Sequence, residues 1–233
     1  AGEELYEFIR PFFDGVESMT ARIRGGTIQT LRLAATAIVL REHLPELLPL
    51  IHKRFPKLKL TLREGVQPQI AEWLQSNEVD LAVTVIDGKP PAGIQSQKLL
   101  ELPLQLLVPK ALKFKTAAEV LAQDRIAQTL ISLQANEAMV KVFQDELSKR
   151  KIDWPIGMEV NSLDLVEIYS ASSFGIGLSV VIPGKKAPAN VKAFPLTDFP
   201  LITFGAMWQG KQNAIGKALV DLFKKRAAEV AGM

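Results

Sequence analysis

The amino-acid sequence predicts an α/β molecule: two Rossmann-like lobes joined by two crossover strands and preceded by a long helix. Three observations carry that expectation. Short runs of alternating apolar residues are separated by helical stretches, the same β–α order recurs in the second half, and a heptad seam precedes both.

The seam comes first. Leu5, Ile9, Phe12, Val16, Met19 and Ile23 recur at spacings of 4, 3, 4, 3 and 4, the pattern of a helix that packs on a partner. Gly25-Gly26 stops it. Such a helix over residues 3–24 is about 33 Å long at roughly 1.5 Å per residue. A dimerisation strut is the simplest use for it, although Pro11 kinks the axis and a helix folded onto its own domain is the plainer alternative.

The pattern then becomes α/β. Residues 27–33 alternate as a strand. Leu44, Leu47, Leu48, Ile51 and Phe55 share one face of a helix that ends near Pro56. Strand 58–62, helix 70–75 and buried strand 79–86 follow, and this β-α-β-α-β order implies a parallel sheet with right-handed crossovers. Residues 99–108 read as one long strand leading elsewhere. The second set comprises helix 116–121, strand 129–133, a helix with Met139, Val142, Phe143 and Leu147 on one face, strand 156–160, helix 163–173 and strand 177–182. Strand 201–208 and a terminal helix marked by Ile215, Leu219 and Leu222 close the chain. The expected division is 1–26 for the strut, 27–99 with 207–233 for lobe I, and 100–206 for lobe II. The cleft between the lobes is the natural ligand site.

Composition narrows the function. The chain has 233 residues, 48% hydrophobic and 23% charged, and no apolar run approaches the roughly eighteen residues of a membrane span. Its 28 basic and 25 acidic residues are intermixed, which argues against holding nucleic acid unaided, since that needs clustered phosphate neutralisation. Without cysteine there are no thiolate nucleophiles, disulfides or cysteine metal sites. The N-terminus has no signal-peptide character, so a cytoplasmic location fits, and the missing initiator Met suggests processing or truncation.

Some motifs are discounted. Residues 205–211 match the spacing of a phosphate loop, but Gln212 replaces the Ser or Thr that holds magnesium. Gly175 and Gly177 lack the third glycine of a dinucleotide loop, and serve better as a helix stop and a tight strand entry. His43 and His52 fall on opposite helix faces and cannot share a metal. Lys185-Lys186 and Lys224-Lys225-Arg226 read as solvated faces, the latter in a last helical turn. No acid, base or nucleophile set emerges, so neither an enzyme nor a cofactor is expected.

The strings Leu31-Arg32-Leu33-Ala34, Leu44-Pro45, Phe55-Pro56-Lys57-Leu58-Lys59-Leu60, Glu64-Gly65 and Val79-Asp80-Leu81-Ala82-Val83 stand in order. Glu159-Val160-Asn161-Ser162 and Gly175-Ile176-Gly177-Leu178 follow in the second half. By their order and spacing the sequence resembles the LysR-type transcriptional regulators along essentially its whole length. The resemblance implies a type 2 periplasmic-binding-protein-like effector domain with its linker helix, lacking the winged helix-turn-helix. It further implies control of transcription by a small-molecule effector, self-association as a dimer or tetramer, and DNA contact only through the missing head. A transporter's solute-binding protein is the alternative with the same architecture, but it would enter its first strand almost directly.

The turn at 34–39 lies between a strand and a helix N-terminus, and Asn161-Ser162 holds the corresponding place in the second lobe. Facing helix N-termini favour a carboxylate or oxyanion. By matching motif positions, Thr36 and Asn161 resemble the family's effector-contacting residues, with Ala37, Ile38 and Val39 beside Thr36. Ser132 and Gln134 are further candidates. Helix capping is the plainer role for Thr36, and more so for Ser162. The run at Asn161 and the threonine at Thr36 are nearest to the family's sulfur-assimilation branch. Apolar Ile38 and Val39 depart from it, which counts against a bare inorganic anion and leaves room for an organic acid with an apolar body.

Overall fold

The computed structural model describes residues 29–232, and the expected strut at 1–26 lies outside the described residues. Two five-stranded mixed sheets form the molecule. In the first, β1 (Gln29–Ala35) lies between β2 (Leu58–Glu64) and β3 (Leu81–Val85), parallel to both. β10 (Ile202–Gln209) runs antiparallel between β3 and β4 (Ile94–Leu102). The second sheet repeats the plan. β6 (Leu130–Ser132) lies parallel between β7 (Ile156–Glu159) and β8 (Ile176–Val180), and antiparallel β5 (Leu104–Pro109) follows, with β9 (Val191–Pro195) at the edge. In each sheet the antiparallel fourth strand is the one arriving from the other sheet.

The long strand expected over residues 99–108 is therefore two strands. Pro103 separates them, because a proline cannot donate to a ladder. Its carbonyl still accepts from Val181 N–H at 2.8 Å. The parallel sheet expected from the first β-α-β-α-β unit is present in β1, β2 and β3, and the crossover strand β10 is added to it antiparallel.

Helices cover the sheets. A π-helical turn (Val39–His43) runs straight into α1 (Leu44–Arg54), which packs with α6 (Ala214–Ala231) on one face of the first sheet. Leu31, Leu33, Leu81, Leu219 and Phe223 are buried there. α2 (Gln67–Gln75) covers the other face over Ala34 and Ala82, through Ile70 and Leu74. In the second lobe α3 (Ala117–Leu121), α4 (Ala138–Lys149) and α5 (Leu163–Ala171) enclose a core around Phe143, which stacks on Phe199 at 5.7 Å and meets Trp154 edge-on at 6.2 Å.

The quoted strings have mechanical roles. Asp80 accepts from the main-chain N–H of Arg32 at 2.7 Å and from its guanidinium at 2.8 Å, while Asp80 N–H donates to Arg32 O at 2.8 Å. This reciprocal set fastens β1 to the start of β3. Gly175 and Gly177 are required by close approach rather than by a helix stop. A Cβ at Gly175 would lie 2.2 Å from Thr129 O, and one at Gly177 would lie 2.3 Å from Ser170 Oγ. The left-handed residue after α5 is Ser173. Gly205 sits within β10 against Ile86 and Gln97, so residues 205–211 form no phosphate cradle.

Candidate functional site

Four strand ends of the two parallel sheet halves lead into helix starts. β1 passes through Thr36 into the turn at Val39–His43, and β2 through Gly65-Val66 into α2. In the second lobe β6 leads to α4, and β7 passes through Asn161-Ser162 into α5. The lobes meet along these starts. Arg41 reaches Asp164 at 3.4 Å and also holds Glu64 at 2.9 Å. Lys141 lies 3.4 Å from Asp87, and Gln67 N–H donates to the Glu137 carboxylate at 3.1 Å.

Thr36 has two halves with different fates. Its carbonyl accepts from Val39 and Leu40 N–H at 3.0 and 3.2 Å. Its hydroxyl is buried without a hydrogen-bond partner, so the side chain does not cap its helix. Ser132, the last residue of β6, likewise has a fully buried and unpartnered hydroxyl. Ser132 O accepts from Val160 N–H at 2.9 Å, which places Ser132 beside the entry to Asn161. Asn161 and Gln134 are exposed. Ser162 caps α5, accepting from Leu165 N–H at 3.4 Å. The ladder thus joins Ser132 to the Asn161 turn, and the Arg41–Asp164 pair brings the Thr36 turn against the start of α5.

Ile38 and Val39 go elsewhere. Together with Leu99, Leu163, Ile182 and Phe204 they line an apolar cavity of about 80 Å³ beside the crossover strands. Thr36, Ala37, Ser132, Gln134, Asn161 and Ser162 are not among its walls.

The sequence reading missed Glu137. It precedes α4 and is buried, and its carboxylate already sits on the N-terminus of α2. Burial raises its pKa against the opposing pull of the Gln67 N–H and of Lys141. An acid at a helix start is a common surface feature, so the sequence carried no signal of this role. Lys185 is a correction too. It is only a quarter exposed and touches Glu167 at 3.0 Å, with Glu42 and Asp164 each at 3.7 Å. Burial opposes its charge, but Glu167, Glu42 and Asp164 together hold its pKa above the ordinary value. Arg226 is also no solvated cation: it bridges Glu46 at 2.8 Å, well before the last turn of α6.

Two sheets hinged by crossover strands, with helix starts facing across the gap, define a two-lobed ligand-binding module. The family model of the LysR substrate binding domain matches residues 24–228, and the chain belongs to that family. It is therefore a LysR effector-binding module rather than a transporter's solute-binding protein. A probable RuBisCO transcriptional regulator of Cyanophora paradoxa is 27% identical over 166 residues, covering 68% of this chain and 49% of the relative. The chain spans about half the length of the curated relatives it matches. Among solved structures, the regulatory domain of Synechocystis PCC6803 CcmR in complex with 2-PG superposes with a TM-score of 0.70 at 18% identity, covering 85% of this chain and 97% of the other. The effector-binding domain of QuiR in complex with shikimate gives 0.71 at 16% identity, covering 86% and 97%.

Proposed function

We propose that this module senses a small organic acid in the cleft between its lobes and so controls DNA binding by a transcription regulator of the LysR type. The observation that carries this reading is the pair of buried, unpartnered hydroxyls at Thr36 and Ser132, at equivalent strand ends of the two sheets. A buried hydroxyl without a partner costs about 1–3 kcal/mol, a cost that a ligand acceptor recovers. The effector's carboxylate is assigned to Thr36 and Asn161, with Ser132 and Gln134 flanking it. Its body lies along Ala37, and Ile38 and Val39 form the apolar backing behind that turn. Shikimate, bound by QuiR, is a carboxylate with a compact ring and suits this division.

The same proposal makes the protein a cytoplasmic, non-catalytic regulator that works without a cofactor and associates with itself. Its relatives are named as transcription regulators, and among the described residues no helix is long and apolar enough to cross a membrane. DNA is contacted through the head that the family places before the linker, so residues 1–233 alone bind it weakly and without sequence preference.

A melting-temperature screen of aliphatic, alicyclic and aromatic carboxylates, with sulfate as the inorganic control, tests the reading. At least one organic acid should raise the melting temperature of the wild type, because binding only the native state stabilises it. Ser132→Ala should reduce that rise. Stabilisation by sulfate alone, or by no anion, contradicts the organic-acid assignment.

A further inference from the structure

We infer that the far end of the second lobe is a docking surface for a protein partner, a short acidic segment that carries a large apolar side chain. The helix starts of the cleft follow the ends of parallel strands β6 and β7. The opposite end of the same sheet is where β8 starts and β5 stops, since Leu130 pairs with Ile176 and Leu107 with Gly177. An apolar cluster and a basic loop meet there.

The apolar part belongs to α5 and its exit. Of the exposed large apolar side chains among the described residues, Ile168 and Phe174 are the most open, at 54% and 59%. Ser173, with φ at 62°, ends the helix in the left-handed region, and Phe174 N–H donates to Tyr169 O at 3.1 Å. The Phe174 ring meets Tyr169 edge-on at 5.7 Å, the apolar contact usual at such a helix stop. This contact orients the ring yet leaves more than half of the residue in water, so a partner that buries it pays little to order it.

The basic part is the loop at 110–115. Leu112 and Phe114 pack on the core, while Lys110, Lys113 and Lys115 are exposed. The Lys192 ammonium pins this loop, donating to Phe114 O at 3.0 Å and Leu112 O at 3.4 Å. Among the described residues, no carboxylate pairs with the exposed ammonium groups of Lys110, Lys113 or Lys115. Glu119 accepts instead from the Lys115 main-chain N–H at 2.8 Å. Asn190 joins the two parts. Its side-chain amide donates to Ala171 O at the end of α5, and its carbonyl accepts from Lys110 N–H at 2.8 Å.

Charge selects the occupant. A second copy docked through the same surface would set its lysines against these. Duplex DNA would pair the lysines but leave Ile168 and Phe174 uncovered. Lying on a bilayer takes a broader apolar face than two side chains give. An acidic segment with an apolar anchor satisfies both parts at once.

Fluorescence anisotropy with the whole protein tests the surface. The probe is a labelled peptide of aspartates around a central Leu-Phe pair. Its comparisons are the same peptide with two serines at the centre, the same peptide with lysines for aspartates, a mixed-sequence duplex and phosphatidylserine vesicles. The Leu-Phe aspartate peptide should saturate one site per chain, about tenfold or more tightly than any comparison, and should weaken as salt rises. Phe174→Ser and the double variant Lys110→Glu/Lys113→Glu should each weaken it about tenfold or more, and both change exposed residues, so the fold should stand. Lys224→Glu/Lys225→Glu, an equal charge change on α6, and Thr36→Val in the cleft should leave it within about twofold. The inference falls if the peptide does not saturate, if the serine peptide, the duplex or the vesicles bind as well, or if neither surface variant weakens binding.

Discussion

At the scale of single residues, Asp80 shows how one side chain joins two strands. It receives the Arg32 main-chain N–H and guanidinium together. Asp80→Ala leaves both donors without their partner and should cost about 1.5–3 kcal/mol, the usual worth of hydrogen bonds to a charged group; denaturant unfolding measures it. Glu137 has the opposite character, because burial raises its pKa above the ordinary 4.5. Above that ordinary value and up to the raised folded one, the native state holds a proton that the unfolded chain has lost. Stability contributed by this group therefore falls as pH rises through that window. Glu137→Gln keeps an acceptor for Gln67 N–H and removes the titration. The variant should gain on the wild type in melting temperature as pH rises from about 4.5 to neutrality, and a constant difference between the two contradicts this. The places of Thr36, Ser132 and Ser162 at strand ends and helix starts were legible in sequence, because the alternation of strand and helix is visible as a pattern, whereas a ligand role for Thr36 came only from the family resemblance. Glu137 was not legible, since its importance comes from a helix 70 residues away, and periodicity does not report such pairing.

At the scale of elements, local rules foresaw the helices best. Apolar positions on α1 and α4 recur with helical spacing, and Leu44, Leu47, Ile51, Met139, Phe143 and Leu147 are indeed buried. Strands with weak alternation were missed or shortened. β9 is five residues ending in Pro195, at a sheet edge. β4 begins at Ile94 with Gln, Ser, Gln and Lys before its first leucine. Edge strands are half solvated and keep few apolar residues, so neither shows a buried face in sequence. The glycines of the second lobe show the converse, where tertiary packing dictates a residue that local rules explain wrongly. Gly175→Ala and Gly177→Ala should each cost about 1–3 kcal/mol as overpacked sites. Gly175→Ala should be the worse of the two, because its added methyl meets the Thr129 carbonyl, whereas Gly177 faces the Ser170 and Val166 side chains. Thermal unfolding that ranks them the other way would contradict this account.

At the scale of the whole molecule, the lobes are tied by charge at one edge. Lys185 neutralises Glu42 from the first lobe and Asp164 and Glu167 from the second. Lys185→Met leaves these carboxylates facing one another, with the Arg41 contact to Asp164 still in place. The variant should lose about 1–3 kcal/mol and scatter X-rays as a more open particle at low salt, with partial recovery at about 1 M salt, where screening is nearly complete. Unchanged scattering would show that packing at the crossover strands, not charge, sets the lobe angle.

Self-association has its own constraint. The apolar face of α1 is consumed by the chain's own core, so a second copy docking on this helix would meet its outer face, where Leu50 stands half exposed. Light scattering at tens of micromolar should give a dimer or larger, and Leu50→Lys should weaken it. A monomeric wild type contradicts the proposal.

The most direct test of effector sensing is a calorimetric titration of wild-type and Thr36→Val protein with the organic acid found in the melting screen. The substitution keeps the shape and deletes a hydroxyl that has no partner without ligand, so the unliganded melting temperature should not fall. Affinity should drop by about ten- to more than a hundredfold, which corresponds to a lost hydrogen bond to an ionised ligand worth about 1.5–3 kcal/mol. Equal affinity in the two proteins would contradict the account and move the effector away from the Thr36 turn.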